Sequence, residues 1–275
     1  MRARLARLAR LALAAASGVG CGGAAPLLHP AHVEPEGVVT AGAGVSGQFV
    51  TGDAANKLRE ARETTVQGLA PTADADVKYR VGALAVAALG PGVSPFVSAR
   101  VGIGGDNEAG LSYTGRSLRI DARHAFQTPS WALSIGLGGH GTRGRPGDGT
   151  SSELAGLSTE GVNGFGVDLP ILVGWRSDAQ LLSFWGGGRA GFEKLGGRIC
   201  LGEGGQGCPA STPWSATRSF GGAVLGFTLG FRHVFVSLEV DGYYQHAKAS
   251  FDDRPGDVAV SGFTIAPSGA VMGRF

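Results

Sequence analysis

From about residue 36 to the last residue, hydrophobic and polar residues alternate with a period of two, which is the pattern of half-exposed β-strands. In residues 131–140, WALSIGLGGH, one face carries tryptophan, leucine and isoleucine, whereas the other carries alanine, serine and glycine. Residues 165–175 and 234–245 alternate in the same way. The pattern predicts an all-β fold whose sheet has one bulky apolar face and one face of small and charged residues.

The face of small residues indicates how the sheet is arranged. Glycine supplies 49 of the 275 residues, and many glycines share a face with serine, threonine and charged side chains. A soluble sandwich or barrel would need bulky residues to fill its interior and a larger polar face outside. Small residues with a few charges fit the interior of a narrow closed barrel, with the apolar face in lipid. Because a strand in lipid cannot leave an edge unpaired, the sheet must close.

Ten segments are predicted as strands of a closed, antiparallel, up-and-down transmembrane β-barrel. Their bounds are about 36–50, 76–89, 93–104, 109–126, 131–142, 161–175, 180–195, 217–231, 234–249 and 258–275. The alternation in 109–126 slips around Gly115, which indicates a bulge or an extra tight turn. The strand count becomes eight or twelve if 109–126 or 76–89 is misread. Residues 53–68 contain helix formers after Asp53, a suitable N-cap, and predict a short helix in a long connection.

The connections between these segments alternate in length. Residues 51–75, 143–160 and 196–216 are long, and the shorter loops 105–108 and 250–257 are assigned to the same side. The remaining connections are tight turns near 90–92, 128–130, 176–179 and 232–233. If the N-terminus starts in the periplasm, an even number of strands places every tight turn there and every long loop outside.

The first 25 residues follow the plan of a bacterial export signal, with four arginines, a short apolar stretch and then small residues. An amphipathic helix of the mature protein is the alternative. The sequence before Cys21 also resembles a lipidation site, although Gly18 stands where leucine is usual. Residues 26–35 are then a periplasmic leader segment, and residues 36–275 are the barrel domain.

The other two cysteines, Cys200 and Cys208, flank a glycine-rich stretch. In an oxidising compartment they form an even pair, which predicts a disulfide across a loop tip. The alternative of a metal site is weak, because no second cysteine pair or His-x-x-His lies nearby. No cofactor and no metal are therefore expected.

Aromatic residues on the apolar face lie near both ends of the predicted strands, as they do at membrane interfaces. Phe165 and Trp175 are separated by ten steps, which at about 3.3 Å per residue and about 40° of tilt rise roughly 25 Å, the height of the apolar band. Aromatics scattered through a soluble β-core are the alternative. The belt at the tight-turn ends comprises Phe126, Trp131, Trp175, Phe184, Phe231 and Phe275, and the belt at the opposite ends comprises Phe49, Tyr79, Phe165, Phe192 and Tyr244.

Together, the export signal, the alternating strands, the unequal loops and the final phenylalanine resemble the Gram-negative outer-membrane β-barrel superfamily, over about residues 36–275. The last residues, GAVMGRF, resemble its C-terminal assembly signal, although Gly273 occupies a place where a bulkier apolar residue is common. Pro170 and Pro267 interrupt strands and lack a ladder donor. The resemblance implies an outer-membrane location, contact with outer-membrane lipid and insertion by the barrel-assembly machinery. It implies no particular activity.

Charged residues on the small-residue face are expected to line the interior. Because a lone buried charge is costly, these charges are expected to pair with one another and to leave the barrel plugged or very narrow. A selective pore lining is the alternative. Arg100 lies beside the strip formed by Arg119, Asp121 and Arg123, with Glu239 and Asp241 as its expected acidic partners. The full set is Arg100, Arg119, Asp121, Arg123, Asp168, Arg189, Glu193, Arg218, Glu239 and Asp241.

These features favour a non-catalytic barrel that acts in envelope structure or in surface contact through its outer loops, with a partner that the sequence does not specify. A small-solute pore and a soluble periplasmic β-protein are alternatives. A surface hydrolase is a further alternative, because His140 and His246 are placed near the outer rim and Asp252 and Asp253 follow His246. A net charge of +2 gives no case for nucleic-acid binding.

Overall fold

The computed structural model describes residues 25–66, 73–143, 157–201, 211–252 and 254–275. Ten strands form the wall of a barrel, and every neighbouring pair is antiparallel. The strands are β1 (Val39–Thr51), β2 (Gly92–Gly104), β3 (Asn107–Thr114), β4 (Ser117–Gln127), β5 (Trp131–Arg143), β6 (Leu157–Arg176), β7 (Leu182–Leu201), β8 (Ser211–Phe231), β9 (Val234–Phe251) and β10 (Arg254–Arg274).

The barrel closes where the first strand meets the last. β1 pairs with β10 from Thr40 opposite Arg274 to Thr51 opposite Phe263, and it pairs with β2 on its other side. The remaining strands pair in sequence order, so the wall has no open edge. The predicted fold class, a closed up-and-down antiparallel barrel of ten strands, is confirmed.

The prediction of a strand over 76–89 is wrong. The connection between β1 and β2 contains α1 (Asp53–Val66), α2 (Ala73–Leu84) and a π-helical turn (Ala85–Leu89). Alanines concentrate at the end of this segment, and alanine favours helix and is depleted in strands. Residues 82–90 are all buried, so their apolar pattern has no exposed face with which to set a period. None of the helices described is long and apolar enough to cross a membrane.

The prediction of a single strand over 109–126 is also wrong. Residues 115–116 form a tight turn that joins β3 to β4, which is the second of the two explanations for the slip around Gly115. The two errors compensate in the strand count, but they change the side of two connections. The turn at 105–106 lies at the same end as the tight turns at 128–130 and 232–233, and we call this the tight-turn end. The connection 90–92 belongs to the other end, the loop end.

The two faces of the wall differ as the alternation predicts. Large apolar side chains point outward, and Leu137, Phe165 and Leu225 are each more than 60% exposed. Charged and small residues point inward, where Arg119 and Asp168 are each 1% exposed. Apolar groups on the outside and charges on the inside invert the arrangement of a soluble protein.

The wall is higher on one side than on the other. β6 to β10 contain 18 to 21 residues each, whereas β2 to β5 contain 8 to 13. The inner face of the high side, at the loop end, packs against the helices. Trp214, Phe251 and Val260 belong to the same apolar cluster as the π-helical turn.

Glycines inside the barrel make room for large side chains opposite them. A Cβ built at Gly226 on β8 would lie 2.2 Å from Cζ2 of Trp185 on β7. The Trp185 ring is itself fixed, because its Nε1 donates a hydrogen bond of 3.1 Å to Glu239. The lumen therefore tolerates no added atom at this position without movement of the ring.

We expect Gly226→Ala to lower the free energy of unfolding by roughly 1–3 kcal/mol, because the added methyl group displaces Trp185. The matched control is Gly139→Ala on the outer face of β5, where a Cβ meets nothing within 4 Å. The control should change stability by at most about 0.5 kcal/mol. Urea-induced unfolding of both variants in lipid vesicles measures the difference. Equal effects at the two positions would show that the lumen is not tightly packed around Trp185.

Candidate functional site

The charged side chains of the lumen form the candidate site. All ten interior charges predicted from the alternation have buried side chains in the structure, and they comprise Arg100, Arg119, Asp121, Arg123, Asp168, Arg189, Glu193, Arg218, Glu239 and Asp241. One further carboxylate, Glu108 on β3, is 1% exposed. Sequence reasoning missed Glu108 because residues 105–108 were interpreted as a loop. The polar–apolar alternation that begins at Asn107 was the signal available.

Seven of these side chains form an alternating ladder of acids and bases across the barrel. Glu108 accepts from Arg123 Nη2 at 2.9 Å and also pairs with the guanidinium of Arg100. Arg100 Nη2 then reaches Asp121 Oδ1 at 2.5 Å, and Asp121 also pairs with Arg119. Each charge between the two terminal arginines, Arg123 and Arg189, thus has an opposite charge on either side of it.

Asp168 is the last carboxylate of this ladder and is bonded by two arginines. Arg119 donates to it twice, from Nε at 2.9 Å and from Nη2 at 2.7 Å. Arg189 Nη2 donates to Asp168 Oδ2 at 3.0 Å. A separate pair nearer the loop end joins Arg218 Nη2 to Glu193 Oε2 at 2.9 Å. Mutual pairing of this kind offsets the desolvation that buried charges suffer.

Glu239 does not pair with the basic strip, contrary to the prediction. Its Oε1 accepts from the backbone N–H of Leu27 at 2.7 Å, and its Oε2 accepts from the N–H of Leu28 at 2.8 Å. The reason is that residues 25–35, which we call the lower plug, lie inside the barrel between β9 and the ladder. Asp241, the other expected partner, is buried on the same strand, and no direct ion pair joins it to a described residue.

The wall holds the lower plug through its backbone. Arg123 donates to the carbonyls of Pro30 and of His32, the latter at 2.9 Å. Arg189 Nη1 donates to the carbonyl of Ala25 at 2.7 Å. The N–H of Glu34 also donates to Glu108 at 3.0 Å, and its side chain pairs with Arg274 at 2.7 Å. The lower plug, which includes the segment predicted as a periplasmic leader, is thus a lumenal element that bonds three of the wall's arginines and two of its carboxylates.

Residues 83–89, which we call the upper plug, fill the lumen from the loop end. The segment is almost wholly apolar, and each of its residues is at most 1% exposed. Wall side chains cap its free carbonyls, since Arg218 donates to Ala88 O at 2.5 Å and Arg116 donates to Ala87 O. Gln48 on β1 donates to Leu89 O. Among the described residues, the lumen keeps a cavity of about 30 Å³ between Ala25 and Leu89, beside His140, and another of about 70 Å³ along the lower plug, beside Arg100 and Arg123.

The histidines suggested for a hydrolase do not come together. His140 points into the lumen, with Nδ1 3.7 Å from Asp168 and Nε2 3.8 Å from Glu193. His246 lies on the outer face, where its Nδ1 shares a hydrogen bond of 2.7 Å with Ser261 Oγ. No carboxylate among the described residues contacts His246, and Asp253 lies outside them. The described part of the chain also contains no cluster of histidine, cysteine or acidic residues arranged to hold a metal.

The aromatic positions follow the outer face with one exception. Tyr79, predicted in the loop-end belt, lies on α2 and packs partly buried against the apolar cluster of the upper plug. Trp175 is half-buried and stacks on Phe184 with ring centroids 6.3 Å apart. The other predicted members are exposed on the outside of the wall, namely Phe49, Phe126, Trp131, Phe165, Phe184, Phe192, Phe231, Tyr244 and Phe275.

The predicted cysteine chemistry falls largely outside the described residues. The export signal with Cys21 lies there, and so does Cys208, while Cys200 is near the end of β7. Lipidation at Cys21 and the disulfide between Cys200 and Cys208 therefore stay predictions.

Two histidines of the lower plug have lowered pKa values. Burial, with the positive charges of Arg100 and Arg123 nearby, holds the pKa of His29 well below its ordinary value. Burial and the charges of Arg176 and Arg123 lower the pKa of His32 to about 4. Both side chains are consequently neutral in the seated plug at neutral pH.

The fold and the lumen define the class of protein, which is a closed barrel with an apolar outer band and an interior blocked by two segments of its own chain. Its ten strands close in sequence order, with β1 beside β10. No protein-family model matches the chain, and no curated protein matches it.

Several solved barrels are similar in fold. Ail, the attachment invasion locus protein of Yersinia pestis, is 11% identical, with 87% of this chain and 99% of that chain covered and a TM-score of 0.31. Neisserial surface protein A is 10% identical, with 87% and 100% covered and a TM-score of 0.30. The CymD monoaromatic hydrocarbon channel is 11% identical, with 88% and 89% covered and a TM-score of 0.29. At these identities and TM-scores, the likenesses carry no information about activity.

We expect Asp168→Asn to lower the free energy of unfolding by roughly 3–5 kcal/mol, because it leaves Arg119 and Arg189 buried against a neutral amide. Asp257→Asn is the matched control, since it removes an acid from an exposed pair with Lys248 whose side chains are 48% and 58% exposed. The control should cost at most about 1 kcal/mol. Denaturant unfolding in detergent micelles compares the two. Similar small losses in both would contradict the ladder as a source of stability.

We expect acid to loosen the lower plug. A released histidine titrates near pH 6.5, whereas seated His29 and His32 have lowered pKa values. The stability they contribute is therefore complete above about pH 6.5 and is lost as the pH falls, for His32 toward about 4. Thermal unfolding at about pH 7.5 and about pH 5 should show a larger drop for the native chain than for His29→Gln/His32→Gln. His124→Gln, on β4 outside the plug, should behave like the native chain, and an unchanged drop in the double variant would refute the assignment.

Proposed function

We propose that this chain is an integral outer-membrane barrel whose sealed interior serves stability, and which acts without catalysis in the envelope or at the cell surface. The observation that carries the proposal is the inverted distribution of side chains. An apolar, aromatic-flanked band faces outward, while the lumen is filled by ion pairs and by two plugs. A water-soluble protein is not expected to expose such a surface, because so large an apolar area leads to association.

The topology supports an orientation. Both ends of the wall, Val39 and Phe275, lie at the tight-turn end, which faces the periplasm in this proposal. The loop end then faces outward and carries α1, whose exposed surface includes the ion pair between Lys57 and Asp53 at 2.9 Å. Surface contact through α1 and the neighbouring loops is the activity that this orientation favours. Insertion by the barrel-assembly machinery through the C-terminal strand belongs to the same proposal.

The filled lumen favours this role over that of a solute channel. A conducting path would have to displace the upper plug, whose carbonyls are capped by Arg116, Arg218 and Gln48. It would then have to break the ladder of buried ion pairs. Each step leaves charged or polar groups without partners in a low-dielectric interior, which is costly.

The proposal predicts an unboiled gel band that differs in mobility from the boiled band, because a lipid-spanning barrel stays folded in detergent. It also predicts that the protein produces no ion conductance across a planar bilayer, because the plugs and the ladder block the lumen. A monodisperse, detergent-free protein in plain buffer would overturn the membrane assignment. Stepwise conductance by a protein that shows the gel shift would overturn only the sealed interior.

A further inference from the structure

The outer face of the high wall carries a polar groove that the sealed lumen does not explain. The groove extends from β7 to β10, has a volume of about 400 Å³ and includes Lys194, Ser215, Thr217, Lys248 and Asp257 in its lining. We call it the lysine groove. Its three central side chains, Lys194, Thr217 and Lys248, are all exposed.

The register of the strands places the two lysines on either side of one hydroxyl group. Lys194 lies opposite Thr217, and Thr217 lies opposite Lys248. Two strand spacings separate the lysine backbones by about 10 Å, a distance that two long flexible side chains can close. A tetrahedral anion seated over Thr217 would therefore accept hydrogen bonds from both ammonium groups.

The charges in the groove do not balance. Asp257 binds Lys248 Nζ at 2.7 Å and uses one of its three N–H donors. Lys194 makes no ion pair with a described residue. Two cations facing one carboxylate leave the groove net positive, which suits an anionic partner.

The surface below the groove indicates an amphiphilic partner and not a free anion. Phe192 precedes Lys194 by two residues on β7, and Tyr244 precedes Lys248 by four residues on β9, and both rings are exposed. Between these rings the outer positions of β8 hold only the small residues Ser219, Gly221 and Ala223. The wall thus forms a shallow trough with aromatic sides that leads from the lysines down into the apolar band.

Aromatic belts lie at membrane interfaces, and lysines just beyond a belt reach headgroup phosphates. From this geometry, and resting on the membrane location proposed above, we infer that the lysine groove binds the phosphate of an outer-leaflet lipid headgroup, with an acyl chain along the β8 trough. Lys194 and Lys248 clamp the phosphate from two sides, and Thr217 donates from below.

Native mass spectrometry of the folded, full chain in detergent tests the inference, with bisphosphorylated lipid A as the probe and the same lipid without its phosphates as its control. Each sample is first checked for the gel shift of the folded barrel, so that failure to form a membrane barrel is separated from failure to bind. We expect Lys194→Gln/Lys248→Gln to weaken binding of the phosphorylated lipid by roughly tenfold. Lys57→Gln, an exposed lysine on α1, should leave it unchanged.

Two further arms decide what the groove recognises. Asp257→Asn should retain or tighten binding, because it removes the acid that competes for Lys248. Loss of binding in that variant would overturn the inference in favour of a cation-bridged site. Inorganic phosphate at millimolar concentration should not displace the lipid, and full displacement would show a soluble-anion site instead. Equal affinity of the native chain and Lys194→Gln/Lys248→Gln for the phosphorylated lipid would refute the clamp.

Discussion

In the membrane location proposed above, backbone hydrogen bonding in lipid is the constraint on which this structure depends. No water is available in the bilayer core to satisfy an exposed strand edge, so the sheet must close on itself. The pairing of β1 with β10 provides that closure. Ten strands enclose a lumen that is too wide to be left empty, and other parts of the same chain fill it. Ion pairs occupy the middle, and the chain's own segments occupy both ends.

The lower and upper plugs solve the filling problem in different ways. The backbone of the lower plug forms hydrogen bonds with side chains of the wall such as Glu239, Arg123 and Arg189. The apolar surface of the upper plug packs against Trp214, Phe251 and Val260 of the wall. The first is a polar docking whose fit depends on hydrogen-bond geometry, whereas the second is hydrophobic packing of an alanine-rich turn.

The alternation of polar and apolar residues predicted most of the strands and which of their side chains point into the lumen. Arg119, Asp168 and Glu193 could be assigned to the interior because strand parity decides the direction of a side chain. In the insertion, the helix at Asp53–Val66 was predicted, but residues 76–89 could not be separated from a strand by periodicity, since short apolar runs of both kinds look alike when buried. The partner of Glu239 was beyond sequence reasoning, because residues 27 and 239 meet only through the tertiary fold. Within residues 76–89, the alanines around Val86 were the local signal for helix.

The unequal wall carries a consequence for the surrounding bilayer. β3 has only 8 residues, which at a usual tilt rise about 20 Å, short of the roughly 25 Å of an outer-membrane apolar band. Hydrophobic mismatch of this size is relieved when the lipid thins beside β3 or when the whole barrel inclines toward its short side. Inclination of the barrel lifts the opposite wall, with the helices behind it, further from the membrane plane, whereas thinning leaves that wall in place. Through such a tilt, the short hairpin of β3 and β4 determines the angle at which the rest of the outer surface faces away from the membrane.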